Sequence, residues 1–420
     1  RAHYHDCIRR IDQIVGETVA KLEEDGLLED TFIFYFGDHG GVMPRGKGYI
    51  YESGLNVPLV IRVPENWKHL VNLDRGATQN GFVSFVDFPP TVLALAGLEV
   101  PEAMDGKPFL GKSVDAAEVA TRDRAFGHAD RFDEKYDLVR TLRIGDWKYM
   151  RSYQPHYPDG LQNNYRYFML AYREWRSLYR EGKLGSNQRL FFEPKPAEQL
   201  FHIPSDRHEV NNRADEPDQA ERLAEMRAAL TTHLKSINDL GFIPEDTLHD
   251  EAMENPVAYG EANSARIAAA IDTADLMLLP FGEAAEPLRE AIASEDPLIR
   301  QWAATVAAAF GEEATDLAAD VRPLLKDEDP IVRLRAVEFL GQTGAVDPRA
   351  PIAAIVNGTE HPVTQMIALN TAAWFHAHPE LAFPFDPASF TAVDESSEPY
   401  RRIQYFADDW IKKRPKKKKK

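Results

Sequence analysis

An uninterrupted apolar run that ends in a glycine-rich polar loop is the strongest constraint on how this chain can fold. Residues 31–36 are all apolar or β-branched, which is typical of a strand buried on both faces. Asp38 and His39 follow directly, within the sequence Gly-Asp-His-Gly-Gly. In open α/β sheets, ligands bind at the carboxyl ends of the strands. The run therefore predicts an α/β sheet with a ligand site where this strand ends.

The residue types at this strand end indicate a metal site. An aspartate and a histidine side by side can hold one metal ion between them. Lys47 lies in a second glycine-rich turn, from which its ammonium can reach an anion bound to that metal. The structural alternative is a helix-capping aspartate beside a surface histidine. We favour the metal site, because a purely structural loop needs few of the glycines and polar groups gathered here.

The elements around this strand fit the same sheet. Residues 5–25 have apolar side chains at helical spacing, and Gly26 follows at a C-cap position. This pattern predicts an amphipathic helix with Cys7 buried on it. Residues 57–63 form a second apolar run that can pair in the same, mainly parallel sheet, and residues 84–97 read as a helix that packs on it.

Size and charge limit the possible functions. A chain of 420 residues with 44% apolar residues is long enough for two globular domains. Its net charge of −18 argues against general binding of nucleic acid. The sequence has no apolar run long enough for a transmembrane helix. Its single cysteine cannot form an internal disulfide, which leaves the redox compartment open.

Taken in order, several segments resemble the sulfatase family within the alkaline-phosphatase-like superfamily. The resemblance extends from residue 1 to about residue 215. It implies an alkaline-phosphatase-like sheet followed by a small antiparallel subdomain. The segments that carry it are residues 4–12, 36–40, 47–48, 51–54, 57–61, 84–97, 105–111 and 198–206.

This resemblance implies a role for each residue at the strand end. Asp38 and His39 match the metal ligands of the family, which binds one divalent cation, calcium. Lys47 matches the catalytic lysine that contacts the sulfate and the leaving oxygen. The formylglycine nucleophile of sulfatases arises within a Cys/Ser-x-Pro/Ala-x-Arg motif, which the residues after Cys7 do not match. We therefore expect the nucleophile to be encoded upstream, and we expect residues 1–420 alone to have no turnover.

The implied activity is hydrolysis of sulfuric esters, with a sulfated carbohydrate or an aryl sulfate as substrate. An N-sulfate is an equally open target. The family suggests a periplasmic or extracellular location. Two other functions stay open: a phosphate or phosphonate ester hydrolase of the same superfamily, in which an Asp-His pair would suit zinc, and a non-catalytic interaction protein.

The segment between the sheet and the C-terminal half predicts further strands and a possible substrate surface. Residues 139–151 read as a strand, a turn and a strand. His128 and Arg131 are candidates for contacts with the substrate. Between residues 153 and 192, aromatic residues alternate with arginines. Aromatic faces and guanidinium groups could line a site for a sulfated saccharide, although aromatic packing on the sheet explains the same pattern.

A repeat with a spacing of 33 and then 32 residues begins in the C-terminal half. Its marks are Asp296-Pro297, Asp329-Pro330 and His361-Pro362, each preceded and followed by a helical pattern. The pattern resembles HEAT-like repeats, in which helix pairs stack into an all-α solenoid. The solenoid could bind a protein partner or could be docked on the catalytic domain as a structural appendage.

The two resemblances, together with a change in composition after about residue 255, predict three regions. The sulfatase resemblance implies that residues 1–240 are the C-terminal part of a catalytic domain that includes the small subdomain, and residues 255–385 are expected to form the repeats. Residues 386–420 form a C-terminal helix and a lysine-rich tail, which could touch an acidic surface or remain solvated.

Overall fold

The computed structural model describes residues 2–378, 380–381 and 383–407. The predicted lysine-rich tail, and the part of the C-terminal region after residue 407, lie outside these residues. The chain divides into two compact units. The first contains Arg1–Lys47, Ser53–Ala125 and Arg143–Gly145, and the second contains Gly48–Glu52, Phe126–Leu142 and Asp146–Lys420.

The predicted strand in the first unit pairs with the second apolar run, but the two are antiparallel. Strand β1 (Ile33–Phe36) pairs with β2 (Leu59–Arg62), with Phe36 opposite Leu59. A parallel pair needs a crossover of a dozen or more residues, usually a helix. The only α-helix between these strands is α2 (Glu52–Leu55), a single turn. The expectation of a mainly parallel sheet is therefore wrong for the strands that the structure describes.

The predicted first helix is present but not buried. Helix α1 (Ala2–Glu24) ends before Gly26, whose φ of 70° is the left-handed conformation of a C-cap glycine. Each described residue of α1 remains at least partly exposed, including Ile8 and Ile11. Cys7 is also exposed, so its predicted burial is wrong. The helical spacing of the apolar side chains predicted the helix correctly. It carried no information about what covers the apolar face.

The core of the first unit covers one face of the β1–β2 pair. Phe34, Leu59 and Ile61 pack with the buried residues Phe109 and Leu110. Helix α3 (Phe88–Leu95) packs against this core, as predicted, and is preceded by a 3₁₀ turn. The short helix α4 (Ala116–Ala120) completes the unit.

The predicted antiparallel subdomain is a four-stranded sheet with the order β3-β4-β5-β6. The predicted turn lies between β4 and β5, where Gly145 has a φ of 53°, and β5 and β6 are antiparallel. The strands are β3 (Arg124–Phe132), β4 (Lys135–Ile144), β5 (Trp147–Ser152) and β6 (Glu198–His202).

Helices fill the rest of the second unit. Those that lead up to the repeats are α5 (Asn164–Tyr167), α6 (Leu170–Arg180), α7 (Ser186–Arg189), α8 (Ala220–Ser236), α9 (Glu245–Thr247) and α10 (Pro256–Ala262). The helical stack that follows, here called the solenoid, contains α11 (Ser264–Asp275), α12 (Phe281–Ile292), α13 (Pro297–Phe310), α14 (Ala318–Val321), α15 (Pro330–Gln342), α16 (Arg349–Asn357) and α17 (Pro362–Ala377). Helix α18 (Glu398–Ile403) follows. None of the helices in the described part of the chain is long and apolar enough to cross a membrane.

The Asp-Pro turns lie at the starts of helices, as the repeat pattern predicts. Asp296 and Asp329 cap α13 and α15 by accepting hydrogen bonds from backbone N–H groups of the first turn. The arginine of the first repeat, Arg300, forms two hydrogen bonds to Asp327 of the next repeat, at 2.7 and 2.9 Å. Arg266 forms the same kind of bond to Asp296, at 2.7 Å for both contacts. The stack therefore begins one helix pair before the first Asp-Pro turn.

The N-cap in the middle of the solenoid gives a first prediction. Asp329 Oδ1 accepts from the N–H groups of Ile331 and Val332 at 2.7 and 3.1 Å. We expect Asp329→Ala to lower the free energy of unfolding by about 1 kcal/mol, because these donors lose their partner. Asp329→Asn retains an acceptor oxygen and should stay close to the unsubstituted chain in urea unfolding. Equal losses for both variants would contradict the capping role.

The solenoid shares its core with the aromatic segment that follows β5. Tyr157 and Leu161 are buried in one apolar cluster with residues of α15, α16 and α17, among them Trp374. The ring of His156 lies 5.2 Å from that of Trp374, edge to face. The solenoid is therefore an integral part of the second unit.

Candidate functional site

The loop after β1 is held by close backbone contacts that only glycine permits. The ladder continues one residue past β1, because Gly37 N–H donates to Pro58 O at 3.3 Å. Gly40 N–H donates to Gly54 O at 2.9 Å. A Cβ atom on Gly40 would lie 1.8 Å from Ser53 O, so no other residue fits without moving the backbone. These contacts fix the backbone on either side of Asp38 and His39.

Asp38 and His39 present two ligand atoms to one another. His39 Nε2 lies 3.4 Å from Asp38 Oδ2, and the aspartate side chain is 82% exposed. The other ring nitrogen, Nδ1, lies 2.8 Å from Gly40 O. A carbonyl oxygen only accepts hydrogen bonds, so this contact requires the proton on Nδ1. In the neutral ring, Nε2 then carries a lone pair on the side of Asp38, as a metal ligand must.

The backbone of Lys47 returns to the same loop. Its N–H donates to Gly41 O at 3.0 Å. The preceding Gly46 is buried, and a Cβ on it would lie 2.2 Å from Gly41 O. The backbone of Lys47 is therefore hydrogen-bonded to Gly41, which lies only two positions after His39. The Lys47 side chain is partly exposed. Gly46, in the second glycine-rich turn, allows this approach.

The donor set fits part of a divalent metal site. Asp38 offers carboxylate oxygens, and His39 offers Nε2, at a separation that is compatible with one shared ion. Calcium takes six to eight oxygen ligands, so these two side chains would supply only a fraction of a calcium shell. The nitrogen ligand is better suited to zinc or another transition metal.

Buried groups that no sequence pattern marked anchor the residues after Lys47. Within the second unit, the ammonium of Lys148 lies 3.1 Å from Glu52 Oε1 and 2.9 Å from Glu209 Oε1, and its side chain is 1% exposed. Lys148 also donates to Ile50 O. Glu209 Oε2 accepts from Glu52 N–H at 2.7 Å. Lys148 lies in a strand buried throughout most of its length, so no alternation in the sequence marked it.

The two substrate-contact candidates have different surroundings. Arg131 Nε lies 2.6 and 2.7 Å from the two carboxylate oxygens of Glu245, and Nη1 donates to Asp133 O at 3.1 Å. Its guanidinium therefore already faces a carboxylate of this chain. His128 is exposed on β3. Neither placement tests a role in substrate binding.

Most of the dense aromatic segment is core. Tyr153, Tyr157, Tyr167, Tyr172 and Phe191 are all at most 3% exposed. Of the two explanations left open by the sequence, packing accounts for these residues. Tyr165 differs from them, because it is 41% exposed.

Two family models match separate parts of the chain. Residues 1–98, which contain Asp38, His39 and Lys47, match the sulfatase family model. Residues 285–373, which contain the three repeat turns, match a model of HEAT repeats. Both resemblances drawn from the sequence are confirmed.

Curated relatives match parts of the chain. An ulvan-active sulfatase of Formosa agariphila is 39% identical over 247 residues, which is 58% of this chain and 39% of the relative. A multifunctional alkaline phosphatase superfamily protein of Trinickia caryophylli is 37% identical over 120 residues, or 27% of this chain and 22% of that protein. An N-acetylglucosamine-6-O-sulfatase of Bacteroides thetaiotaomicron is 29% identical over 159 residues, which is 36% of this chain and 27% of that protein.

The alignments with these three relatives span about two fifths or less of each relative's own length. Residues 1–98 of this chain match the sulfatase family, and residues 285–373 match HEAT repeats.

Proposed function

We propose that this chain carries the metal- and sulfate-binding part of a sulfatase that hydrolyses a sulfated carbohydrate. The observation that carries the proposal is the pair after β1, in which His39 Nε2 faces Asp38 Oδ2 while Nδ1 is tied to Gly40 O. The printed names of two relatives, an ulvan-active sulfatase and an N-acetylglucosamine-6-O-sulfatase, support a sulfated sugar as the substrate class.

Each residue of the site has a distinct task in this proposal. Asp38 and His39 hold one divalent cation, for which the family suggests calcium. Such a cation, when bound, draws electron density away from an ester oxygen. The Lys47 ammonium pairs with the sulfate and stabilises the negative charge that builds on the leaving oxygen. The nucleophile, a formylglycine in this family, is expected from residues outside this sequence.

Phosphate or phosphonate ester hydrolysis is the second candidate. It is favoured by the nitrogen ligand of His39, which suits zinc better than calcium, and by the relative from the alkaline phosphatase superfamily. The two candidates differ in the metal that supports turnover and in the ester that is cleaved.

The test compares the complete gene product that contains this segment with its Asp38→Ala and Lys47→Ala variants. We expect calcium-supported cleavage of an aryl sulfate and then of sulfated oligosaccharides, with little cleavage of an aryl phosphate. Loss of Lys47 should lower kcat by roughly 10²–10³-fold, as for removal of one donor at a developing charge. Loss of Asp38 should lower both activity and bound metal.

Asp74→Ala is the matched control, because Asp74 is an exposed aspartate of the same unit. It should retain full activity. Zinc-dependent cleavage of the phosphate ester in preference to the sulfate ester would support the second candidate. Full activity and full metal content in Asp38→Ala would overturn both candidates.

A further inference from the structure

Two histidines and an aspartate of the second unit meet at the first turn of α17. His249 Nδ1 lies 2.8 Å from Asp250 Oδ1. His361 Nε2 lies 3.1 Å from the same oxygen and 3.3 Å from His249 Nδ1. The three residues belong to the second unit, and one ligand atom from each lies within 4.8 Å of the other two.

These separations are close to those of a tetrahedral zinc site. Zinc binds histidine nitrogen and carboxylate oxygen at about 2.0–2.2 Å, so neighbouring ligand atoms in a tetrahedron lie about 3.3 Å apart. Two of the three separations already agree with this distance to within a few tenths of an ångström. Only the contact between His249 and Asp250 must lengthen, by about half an ångström.

A buried carboxylate behind His361 can orient its ring for metal binding. His361 Nδ1 lies 3.4 Å from Thr364 Oγ1, and that hydroxyl donates to Asp246 Oδ2 at 2.6 Å. Since its own proton is donated to Asp246, the hydroxyl oxygen can accept a hydrogen bond from the Nδ1–H group of His361. Nε2 then carries the lone pair that faces the cluster, in the outer-shell arrangement common to zinc-bound histidines.

Helix capping alone does not explain a histidine at this position. In the alternative tautomer, His361 Nδ1 accepts from Thr364 N–H at 3.4 Å and caps α17. The two preceding repeats use Asp296 and Asp329 for this task, and aspartate is among the preferred N-cap residues, whereas histidine is not. His249 and Asp250 lie on a π-helical turn (Leu248–Ala252), a backbone form that is rare and often found at functional sites.

We propose that His249, Asp250 and His361 bind one Zn²⁺, which joins the segment before α10 to the first turn of α17. Two nitrogen ligands and one oxygen ligand are a donor set that suits zinc. The side chains of His249 and Asp250 are 59% and 60% exposed, so a fourth coordination position faces water. The proposal does not depend on the function proposed for Asp38 and His39.

The test measures Zn²⁺ bound to the whole, untagged chain in a background that lacks the other candidate site. The background carries Asp38→Ala and His39→Ala. In equilibrium dialysis with metal analysis, we expect one Zn²⁺ per chain. Adding His361→Asn should weaken binding by roughly 100-fold or more, because even substitutions outside the ligand shell cost 10–100-fold. His249→Gln should do the same.

Asparagine is chosen at position 361 because it caps helices well and so preserves the fold. Zn²⁺ should raise the melting temperature of the background chain but not that of the His361→Asn variant. His69→Gln, which replaces an exposed histidine of the other unit, should leave binding unchanged. The proposal is overturned if the background chain binds no Zn²⁺, if His361→Asn binds it equally well, or if His69→Gln also loses it.

Discussion

Replacing Glu338 by glutamine is expected to lower the free energy of unfolding by roughly 3–5 kcal/mol, the usual cost of breaking a buried ion pair by removing one partner. The carboxylate is completely buried in the solenoid. It accepts hydrogen bonds from Arg335 at 2.9 Å and Thr371 at 2.8 Å, and also from Tyr157. His156 Nε2 lies 2.9 Å from its other oxygen. Glutamine would leave the Arg335 charge buried without compensation.

The same residue predicts how stability depends on pH. Burial by itself would raise the pKa of Glu338, but the charge of Arg335 and the contact with His156 outweigh it and lower the pKa to about 2. The ordinary value is 4.5. Because the pKa is lower in the folded chain, the stabilisation is fully present above about pH 4.5 and is lost as the pH falls towards about 2. The difference corresponds to roughly 3 kcal/mol.

Urea unfolding of the unsubstituted chain and of the Glu338→Gln variant, between pH 7 and pH 3, measures the loss of stability and its dependence on pH. The control is Glu328→Gln, an exposed glutamate just before α15, for which we expect a change within about 0.5 kcal/mol. Glu338→Gln should also unfold with a weaker dependence on pH below 4.5. A stability equal to that of the control at pH 7 would show that the buried network does not hold the solenoid.

Replacing Lys148 by methionine should have an effect of similar size in the same unit. Methionine fills a comparable volume, but it removes the ammonium that lies 2.9 Å from Glu209 Oε1 and replaces it with an apolar group, and the Glu209 side chain is 1% exposed. Burial already raises the pKa of Glu209, more than the nearby Lys148 lowers it. We expect a loss of roughly 3–5 kcal/mol in the free energy of unfolding, and Lys326→Met, at an exposed lysine, should change it little.

A double-mutant cycle tests whether the effect belongs to this ion pair. The variant Lys148→Met/Glu209→Gln removes both charges, so it should be more stable than the sum of the two single losses predicts, by 1 kcal/mol or more. Strictly additive losses would mean that Lys148 acts through packing instead of charge.

The parts of the fold that were predictable from sequence depend on local chemistry. Asp296 and Asp329 cap the helices that begin one residue later, so the residues of each Asp-Pro turn were enough to predict where the helix begins. The adjacency of Asp38 and His39 at the end of β1 is equally local. Their roles as metal ligands, and that of Lys47 in catalysis, remain predictions.

The parts that were missed depend on residues that are far apart in the sequence. Tyr157 reaches Glu338 across 181 positions, and no period within either segment indicates this contact. Glu209 pairs with Lys148, a residue that the sequence placed only in a strand. The antiparallel pairing of β1 and β2 was missed because an apolar run indicates burial but not strand direction.

The common core of the solenoid and the segment from Tyr153 to Leu161 limits how this architecture can change during evolution. A helical array that contacts the rest of its protein only at one end can gain or lose repeat units by recombination. Here an inserted or deleted unit would shift Glu338 and Trp374 away from Tyr157 and His156. Lineages that carry this fusion should therefore keep the number of units constant and should vary the two interlocking segments together.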